Sequence, residues 1–183
     1  MNRYISLLRG INVSGQKKIK MVDLKSLYTS LGYRSVVTYI QSGNVIFDAD
    51  SLDRAKLIDE IESAVETHYR FQVPVEIRTG DELEGIIRNC PFGSVDLKED
   101  GTKVLVTFLS EKPTAEKVFE IQKYVKTPER LVVSGREVYL NCPNGYGKTK
   151  LSNVFIERVL GVRATTRNWK SIYKLYELSV ESV

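Results

Sequence analysis

The chain carries one order of secondary-structure signals twice, and each copy contains a β-hairpin centred on a Ser-Gly pair. Ser42-Gly43 marks the first hairpin and Ser134-Gly135 the second, because these residues favour the tight turns that join antiparallel strands. The hairpin strands are expected at 36–40 and 44–47 in the first copy, and at 130–133 and 137–140 in the second. Apolar residues at helical spacing precede and follow each hairpin. The repeat favours a mixed fold of two similar halves.

Both halves follow the order β-α-β-β-α-β, which is that of the ferredoxin-like plait. The other strands are expected at 4–8, 73–77, 103–109 and 162–166, and the helices at 21–31, 52–65, 114–125 and 151–159. Asp50 or Ser51 is the expected cap of the second helix. We predict an α+β fold of two tandem ferredoxin-like plaits with a C-terminal helix. The expected domains are 1–79 and 80–183, the latter comprising a linker helix at 81–88, the second plait and the C-terminal helix.

The composition indicates a globular protein with a mild excess of basic residues. Of its 183 residues 42% are apolar, which is enough for a packed core. Lys and Arg number 27 against 23 acidic residues, which gives a net charge of +4 and a pI near 9.0. This balance allows a nucleic-acid partner without requiring one. The early apolar run at 4–8 is too short for a signal peptide, and no run is long enough for a membrane helix, so we expect a cytoplasmic protein without a membrane partner.

The content of Cys and His argues against a metal site. Cys90 and Cys142 are far apart in sequence and His68 is the only histidine, whereas a structural zinc site needs four such ligands. We expect neither a metal nor a cofactor. His68 falls near the end of a predicted helix, where a cation is favourable, which predicts a structural role. A disulfide is compatible with the sequence but not required in a chain of this size.

Three of the six predicted helices begin with basic residues, at the end where the helix dipole is already positive. These segments are 16–20, 147–150 and 167–170. Exposed cations there cost roughly 0.3 to 1 kcal/mol each, and the cost vanishes when an anion binds the same helix end. The other three helices open with acidic residues, at 50–53, 81–82 and 114–116. The contrast predicts an anionic ligand.

Each basic segment lies beside a loop rich in glycine, amide or hydroxyl groups. The candidate ligand-binding residues are Arg9, Asn12, Gln41, Asn44, Lys148, Lys150, Arg167 and Asn168. Each also has a structural interpretation, since Asn and Ser brace turns and Arg covers apolar surface. Thr166 or Asn168 would cap the last helix, and Arg167 would make an ion pair between domains.

The segment 141–149 ends in Gly-Lys-Thr, as a phosphate-binding P-loop does. The P-loop pattern requires glycine where this chain has Cys142, and a plait is the wrong setting for it. A nucleotide triphosphatase is therefore disfavoured. A looser anion nest formed by Gly145, Gly147 and Lys148 and a flexible, solvated loop are the two remaining interpretations.

Two further function classes can be weighed from the residue types. The strands at 4–8 and 44–48 lack the aromatic motif with which RNA-recognition domains stack bases, so RNA binding of that mode is disfavoured. Most of the candidate polar groups bind and orient ligands well but do not shuttle protons. Only a lysine perturbed by its neighbour, Lys148 or Lys150, would do so near neutral pH.

Three blocks of sequence together resemble the bacterial domain-of-unknown-function family 1697. The blocks are Leu7-Leu8-Arg9-Gly10-Ile11-Asn12-Val13, Thr38-Tyr39-Ile40-Gln41-Ser42-Gly43-Asn44-Val45 and Thr165-Thr166-Arg167-Asn168-Trp169. The resemblance covers essentially the whole chain and implies a cytoplasmic protein of two ferredoxin-like plaits. It supplies no reaction and no catalytic residues. The family's usual Gly-Gly after the first block is Ser14-Gly15 here, which leaves the ligand contacts of this loop open.

These features support three functional hypotheses. The first is that loops at the helix N-termini bind an anionic small molecule or a nucleic-acid backbone. The second is an enzyme that acts on a phosphorylated or carboxylated metabolite through a perturbed lysine in a closed pocket. The third is a protein-interaction module with an exposed apolar patch around Trp169, Tyr173 and Tyr176. The sequence leaves the oligomeric state open.

Overall fold

The computed structural model describes residues 1–181 and contains two four-stranded antiparallel sheets and six α-helices. The predicted α+β fold is confirmed at this level. The chain forms two compact units, of which the first is Met1–Gly85 with Lys174–Val183 and the second is Ile86–Tyr173. Their bounds differ from the expected ranges 1–79 and 80–183, since residues 80–85 and the C-terminal segment from Lys174 fall in the first unit. No helix in the described chain is both long enough and apolar enough to cross a membrane.

The first unit has a sheet with its first strand near the centre. Its elements are β1 Asn2–Leu8, α1 Met21–Ser30, β2 Arg34–Tyr39, β3 Asn44–Ala49, α2 Arg54–Tyr69 and β4 Val75–Arg78. The strand order is β2-β3-β1-β4, and every neighbouring pair is antiparallel. The N–H of Leu8 donates to the oxygen of Gly43 over 2.8 Å. The loop after β1 therefore begins beside the turn of the β2–β3 hairpin.

The core of the first unit forms between the sheet and its two helices. Tyr4 and Phe47 are paired across β1 and β3, and both are buried. The Phe47 ring packs against Tyr28 of α1 and against Tyr33, with ring centroids 5.4 and 4.6 Å apart. Truncation of such a buried ring to alanine costs about 3 to 5 kcal/mol. This cluster fixes α1, and with it the position of its first turn.

The second unit repeats the order of the first. After α3 Gly80–Arg88 the elements are β5 Val104–Leu109, α4 Ala115–Gln122, β6 Arg130–Ser134, β7 Glu137–Asn141, a 3-10 helix Tyr146–Lys148, α5 Asn153–Leu160, β8 Ala164–Asn168 and α6 Trp169–Val180. The strand order is β6-β7-β5-β8, again antiparallel throughout. Leu109, Ile121, Leu140 and Ile156 belong to the buried cluster beneath α4 and α5.

The start of α2 differs from the prediction. Asp53 caps the helix, since its carboxylate accepts the N–H of Lys56 over 3.1 Å, whereas Asp50 and Ser51 precede the helix. The hydroxyl oxygen of Ser51 accepts the N–H of Asp53 instead, over 3.1 Å. This short-range bond turns the chain before the helix begins, as serine commonly does in turns.

Candidate functional site

The first turn of α1 is the only α-helix start within residues 1–181 that no side chain caps. Lys20 occupies the N-cap position with an extended backbone, and its side chain makes no capping hydrogen bond. The N–H groups of Met21, Val22 and Asp23 have no acceptor among the described residues. Such N–H groups carry the positive end of the helix dipole and attract anions.

The other five starts are satisfied by side chains of the chain itself. The caps and the N–H groups they accept are Asp53 with Lys56, Thr79 with Glu82, Thr114 with Lys117, Ser152 with Phe155 and Asn168 with Ser171. Two of these helices, α5 and α6, are the ones that follow basic segments 147–150 and 167–170. Of the three basic segments, only 16–20 therefore leads into an uncapped helix.

A cleft of about 430 Å³ opens at the start of α1. Its lining residues are Asn12, Lys18, Ile19, Lys20, Met21, Asp23, Gln41 and Tyr69. This volume lies within the range of roughly 300 to 1,000 Å³ that small-molecule sites occupy. The cleft combines two of the predicted residues, Asn12 and Gln41, with two lysines and one carboxylate.

The hydroxyl of Tyr69 is a buried polar group without a hydrogen-bond partner in the part of the chain that the structure describes. Burial, and secondly the negative charge of Asp23, raise the pKa of Tyr69, so the hydroxyl keeps its proton at neutral pH and is a donor. A buried donor left unsatisfied costs about 1 to 3 kcal/mol. Tyr69 is not among the residues predicted from the sequence, because only the fold brings the last turn of α2 to the first turn of α1.

Asn12 stabilises one wall of the cleft through hydrogen bonds of its side chain. Its side-chain nitrogen donates to the oxygens of Ile19 and Gln41, each over 2.9 Å, and its side-chain oxygen accepts the N–H of Ile19 over 2.9 Å. The backbone of Asn12 has a φ of 55°, a conformation that Asn tolerates better than most residues. The amide is thus occupied by the loop, which agrees with the structural interpretation of Asn12.

Gln41 lines the cleft and directly follows a residue with a strained backbone. The preceding Ile40 has a φ of 49° although it is β-branched, and its side chain is 46% exposed. Such a conformation costs about 1 to 3 kcal/mol and is retained where the surroundings require it, often at ligand sites. Here it presents the main-chain oxygen of Gln41 to Asn12.

The remaining candidates of the first unit, Arg9 and Asn44, belong to the framework around the cleft. Asn44 is fully buried, and its side chain donates to the oxygen of Tyr39 over 2.9 Å and to the hydroxyl of Ser42 over 3.0 Å. Arg9 is half-buried, and its N–H donates to the oxygen of Pro74 over 2.9 Å. Neither side chain lines the cleft.

The glycine-rich loop before α5 uses its amides internally. The N–H groups of Gly145, Lys148 and Thr149 donate to the oxygens of Cys142, Gly145 and Tyr146 respectively, over 2.8, 3.1 and 3.3 Å. The hydroxyl of Tyr146 accepts the N–H of Asn153 over 2.8 Å and ties the loop to the helix. An anion nest needs such N–H groups to be free. The N–H groups of Gly145, Lys148 and Thr149 are therefore used within the loop and are not free for an anion.

Lys148 and Lys150 precede the capped helix α5, which begins at Asn153 and not at Leu151 as predicted. Both lysines are exposed. The ammonium of Lys150 lies 4.7 Å from the ring centroid of Tyr124, in a cation–π contact. The perturbed-lysine hypothesis depends on a closed pocket beside a carboxylate or a tyrosine. Lys150 does contact a tyrosine, but both lysines are exposed and not enclosed in a pocket.

Arg167 and Asn168 lie at the end of β8, and the side chain of each makes a hydrogen bond within the protein. Burial lowers the pKa of Arg167 to about 10, so it remains charged at neutral pH. Its guanidinium donates to the oxygen of Thr166 over 2.9 Å. Asn168 caps α6 by accepting the N–H of Ser171, as one of the two predicted caps.

The apolar patch expected around Trp169 is not formed at that residue. Trp169 is only 2% exposed, and its ring packs against Tyr173 at a centroid distance of 6.4 Å. Tyr176, which belongs to the first unit, donates its hydroxyl to Glu84 over 3.4 Å. Among residues 1–181, no group of three or more His, Cys, Asp or Glu side chains could hold a metal ion.

Comparison with known proteins gives a family and a fold. The family model described as "Protein of unknown function (DUF1697)" matches residues 1–139. A solved structure, that of the conserved bacterial protein SP0830 from Streptococcus pneumoniae, is similar with 25% identity and a TM-score of 0.74, over 97% of this chain and 98% of that chain. No curated protein matches the chain. Neither description names a ligand or a reaction.

Proposed function

We propose that this chain, which belongs to the DUF1697 family of proteins of unknown function, binds a small phosphate- or carboxylate-bearing ligand in the cleft at the start of α1. The family match confirms the resemblance for residues 1–139, which include the first two sequence blocks, whereas the third block at 165–169 lies outside the matched residues. The proposal rests on Tyr69, which lines a cleft beside the one uncapped α-helix start of the described chain, and whose hydroxyl is buried without a hydrogen-bond partner among the described residues. A ligand oxygen would satisfy the Tyr69 hydroxyl and the free N–H groups together.

The charges of the cleft favour an anion. Lys18 and Lys20 are exposed at its edge, and the N–H groups of Met21 and Val22 add the positive end of the helix dipole. Asp23 in the same turn opposes a bare anion and would accept a hydrogen bond from a hydroxyl or amino group. The cleft therefore suits a ligand that combines an anionic group with hydrogen-bond donors, such as a phosphorylated sugar or nucleoside.

A thermal-shift screen tests this function. The probes are inorganic phosphate, sugar phosphates, mononucleotides and dicarboxylates, added to the wild type, Tyr69→Phe and Lys20→Gln. A ligand at about one hundred times its Kd stabilises the native state by about 2.7 kcal/mol, so a rise in Tm of several degrees is expected for the wild type. Tyr69→Phe and Lys20→Gln should each reduce this rise.

The matched control is Lys25→Gln, which removes an exposed lysine of α1 outside the cleft. It should leave the ligand-induced rise unchanged. The proposal fails if no anion raises the Tm of the wild type, or if Tyr69→Phe and Lys20→Gln respond like the control.

We also propose that each compact unit is a ferredoxin-like plait, so that the chain is a tandem of two. Both units support this by their β-α-β-β-α-β order and by a shared strand order, in which the first strand of each unit lies between the third and the fourth. An experimental structure of the protein with another strand order in either sheet would contradict the assignment.

A further inference from the structure

Phe155 in α5 of the second unit contacts two cations. The guanidinium carbon of Arg158 lies 5.1 Å from its ring centroid and the ammonium of Lys150 lies 5.3 Å from it. The Tyr124 ring meets Phe155 edge-on at a centroid distance of 5.0 Å and is also covered by Lys150. Arg158 and Lys150 are exposed, and neither has a carboxylate within ion-pair distance in the described chain. Their charges are therefore available to an anionic partner.

Large apolar side chains are exposed on the same two helices. Phe119 of α4 is 69% exposed and Val154 of α5 is 66% exposed, and α4 packs against α5. The ammonium of Lys123 lies 5.2 Å from the Phe119 ring centroid. Lys123 is itself paired with Glu120 over 2.6 Å. The exposed Phe119 ring costs solvation free energy in the free protein, which a partner that covers the ring would recover.

We propose that the outer surface of α4 and α5 binds single-stranded nucleic acid. Such a strand supplies phosphates for Lys150 and Arg158, and unstacked bases for the Phe119 ring and for the flat guanidinium that lies on Phe155. The helices supply the exposed ring, whereas Val106 and Phe108 of β5 are at most 1% exposed and offer no surface for a base.

The test is fluorescence anisotropy with a labelled single-stranded RNA of about 12 nucleotides and the DNA of the same sequence. The double variant Lys150→Gln/Arg158→Gln should weaken binding at least about tenfold and lower the slope of log Kd against log salt by about 1.4, as expected for two lost phosphate contacts. Phe119→Ala should weaken binding about fivefold or more through lost stacking.

The matched control is Lys25→Gln/Lys98→Gln, which removes the same charge from exposed positions elsewhere. It should change Kd by less than about twofold at physiological salt. Arg158→Lys separates charge from stacking, and should retain the salt slope while weakening affinity. These side chains are exposed, so circular dichroism should show all variants folded. If the double variant does not fold, the RNA affinity of Phe119→Ala alone tests the proposal.

Three results would overturn the proposal. The first is that the wild type binds neither RNA nor DNA. The second is that the control variant Lys25→Gln/Lys98→Gln loses as much affinity as Lys150→Gln/Arg158→Gln, which would indicate unspecific electrostatic attraction. The third is capture by phosphatidylserine vesicles that depends on Phe119 without any binding of RNA or DNA, which would assign the surface to membranes instead. The anion cleft of the first unit is tested separately, since Tyr69→Phe should leave RNA affinity unchanged.

Discussion

The side-chain nitrogen of Asn12 donates to the main-chain oxygen of Gln41 over 2.9 Å, and this bond joins the loop after β1 to the turn of the β2–β3 hairpin. The same side chain makes two further bonds with Ile19, just before α1. Two segments that border the cleft therefore depend on one amide. The shape of the proposed binding site is set by this residue more than by the lysines at its edge.

Replacing Asn12 by alanine should destabilise the first unit by about 2 to 4 kcal/mol, because three hydrogen bonds are lost and alanine is strained at positive φ. Urea unfolding measures the change. Asn12→Gly serves as the control, since glycine removes the backbone strain and should recover roughly 1 kcal/mol of the loss. An effect of Asn12→Ala below about 0.5 kcal/mol would contradict the bracing role.

Tyr69→Phe should stabilise the ligand-free protein by about 1 kcal/mol or more, because it removes a buried hydroxyl that has no partner. The matched control is Tyr33→Phe, whose hydroxyl donates to Glu60 over 2.9 Å. That change should lower the free energy of unfolding by about 0.5 to 1.5 kcal/mol. If both variants lose stability equally, Tyr69 is satisfied in solution and the main support for the cleft is gone.

The hairpins were predictable because their signals are local. Gly43 has a φ of 79°, and a Cβ there would lie 2.5 Å from a side-chain atom of Ile11, so glycine is needed for two reasons.

The C-terminal end of the last strand was less predictable. It runs to Asn168 instead of Thr166, because Arg167 still pairs with Val106 and the chain then enters α6 without a loop.

Acid should weaken the first unit through Glu82. Burial alone would raise the pKa of its carboxyl, but hydrogen bonds from Arg54 and the N–H of Thr79, with the charges of Arg54 and Arg78, lower the pKa below its usual 4.5. A lowered pKa in the folded state gives stability that is fully present above pH 4.5 and is lost as pH falls through the folded value. Burial is partial, so the effect is about 0.5 to 1 kcal/mol after allowance for solvent screening.

Urea unfolding of wild type and Glu82→Gln at several pH values checks this prediction. The wild type should be the more stable protein near neutral pH, and the difference should shrink below pH 4.5. Glu66→Gln is the control, since Glu66 is exposed on the neighbouring helix. A Glu82→Gln difference that stays constant with pH would show that the ion pair does not stabilise the fold.

The two thiols should differ in reactivity. Cys142 is 1% exposed, and burial, followed by the charge of Glu129, raises its pKa to about 11 despite a hydrogen bond with Thr149. Cys90 is half-buried, and burial raises its pKa as well. Since the accessible thiolate is the reactive species, iodoacetamide should modify Cys90 at least roughly tenfold faster than Cys142. Peptide mass spectrometry measures both rates, and equal rates would show that the end of β7 opens readily.

The candidate site was predictable only in part. The basic segment before α1 and the polar residues Asn12 and Gln41 are visible in the sequence, because residue types at a helix start and in turns are local signals. The cap of α6 was predicted, since Asn168 was one of its two candidates. The sequence did not separate α1 from α5, because capping depends on side-chain geometry. Tyr69 carries no local signal at all, since its importance arises from where α2 ends in space.

Amide NMR can locate the bound anion, in a titration of isotope-labelled protein with phosphate and then with the best ligand of the thermal screen. We expect the largest shift changes at the N–H groups of Met21, Val22 and Asp23, and we expect Tyr69→Phe to weaken them. Unchanged signals at these three residues, or equal changes at the capped starts of α5 and α6, would contradict the proposed anion site.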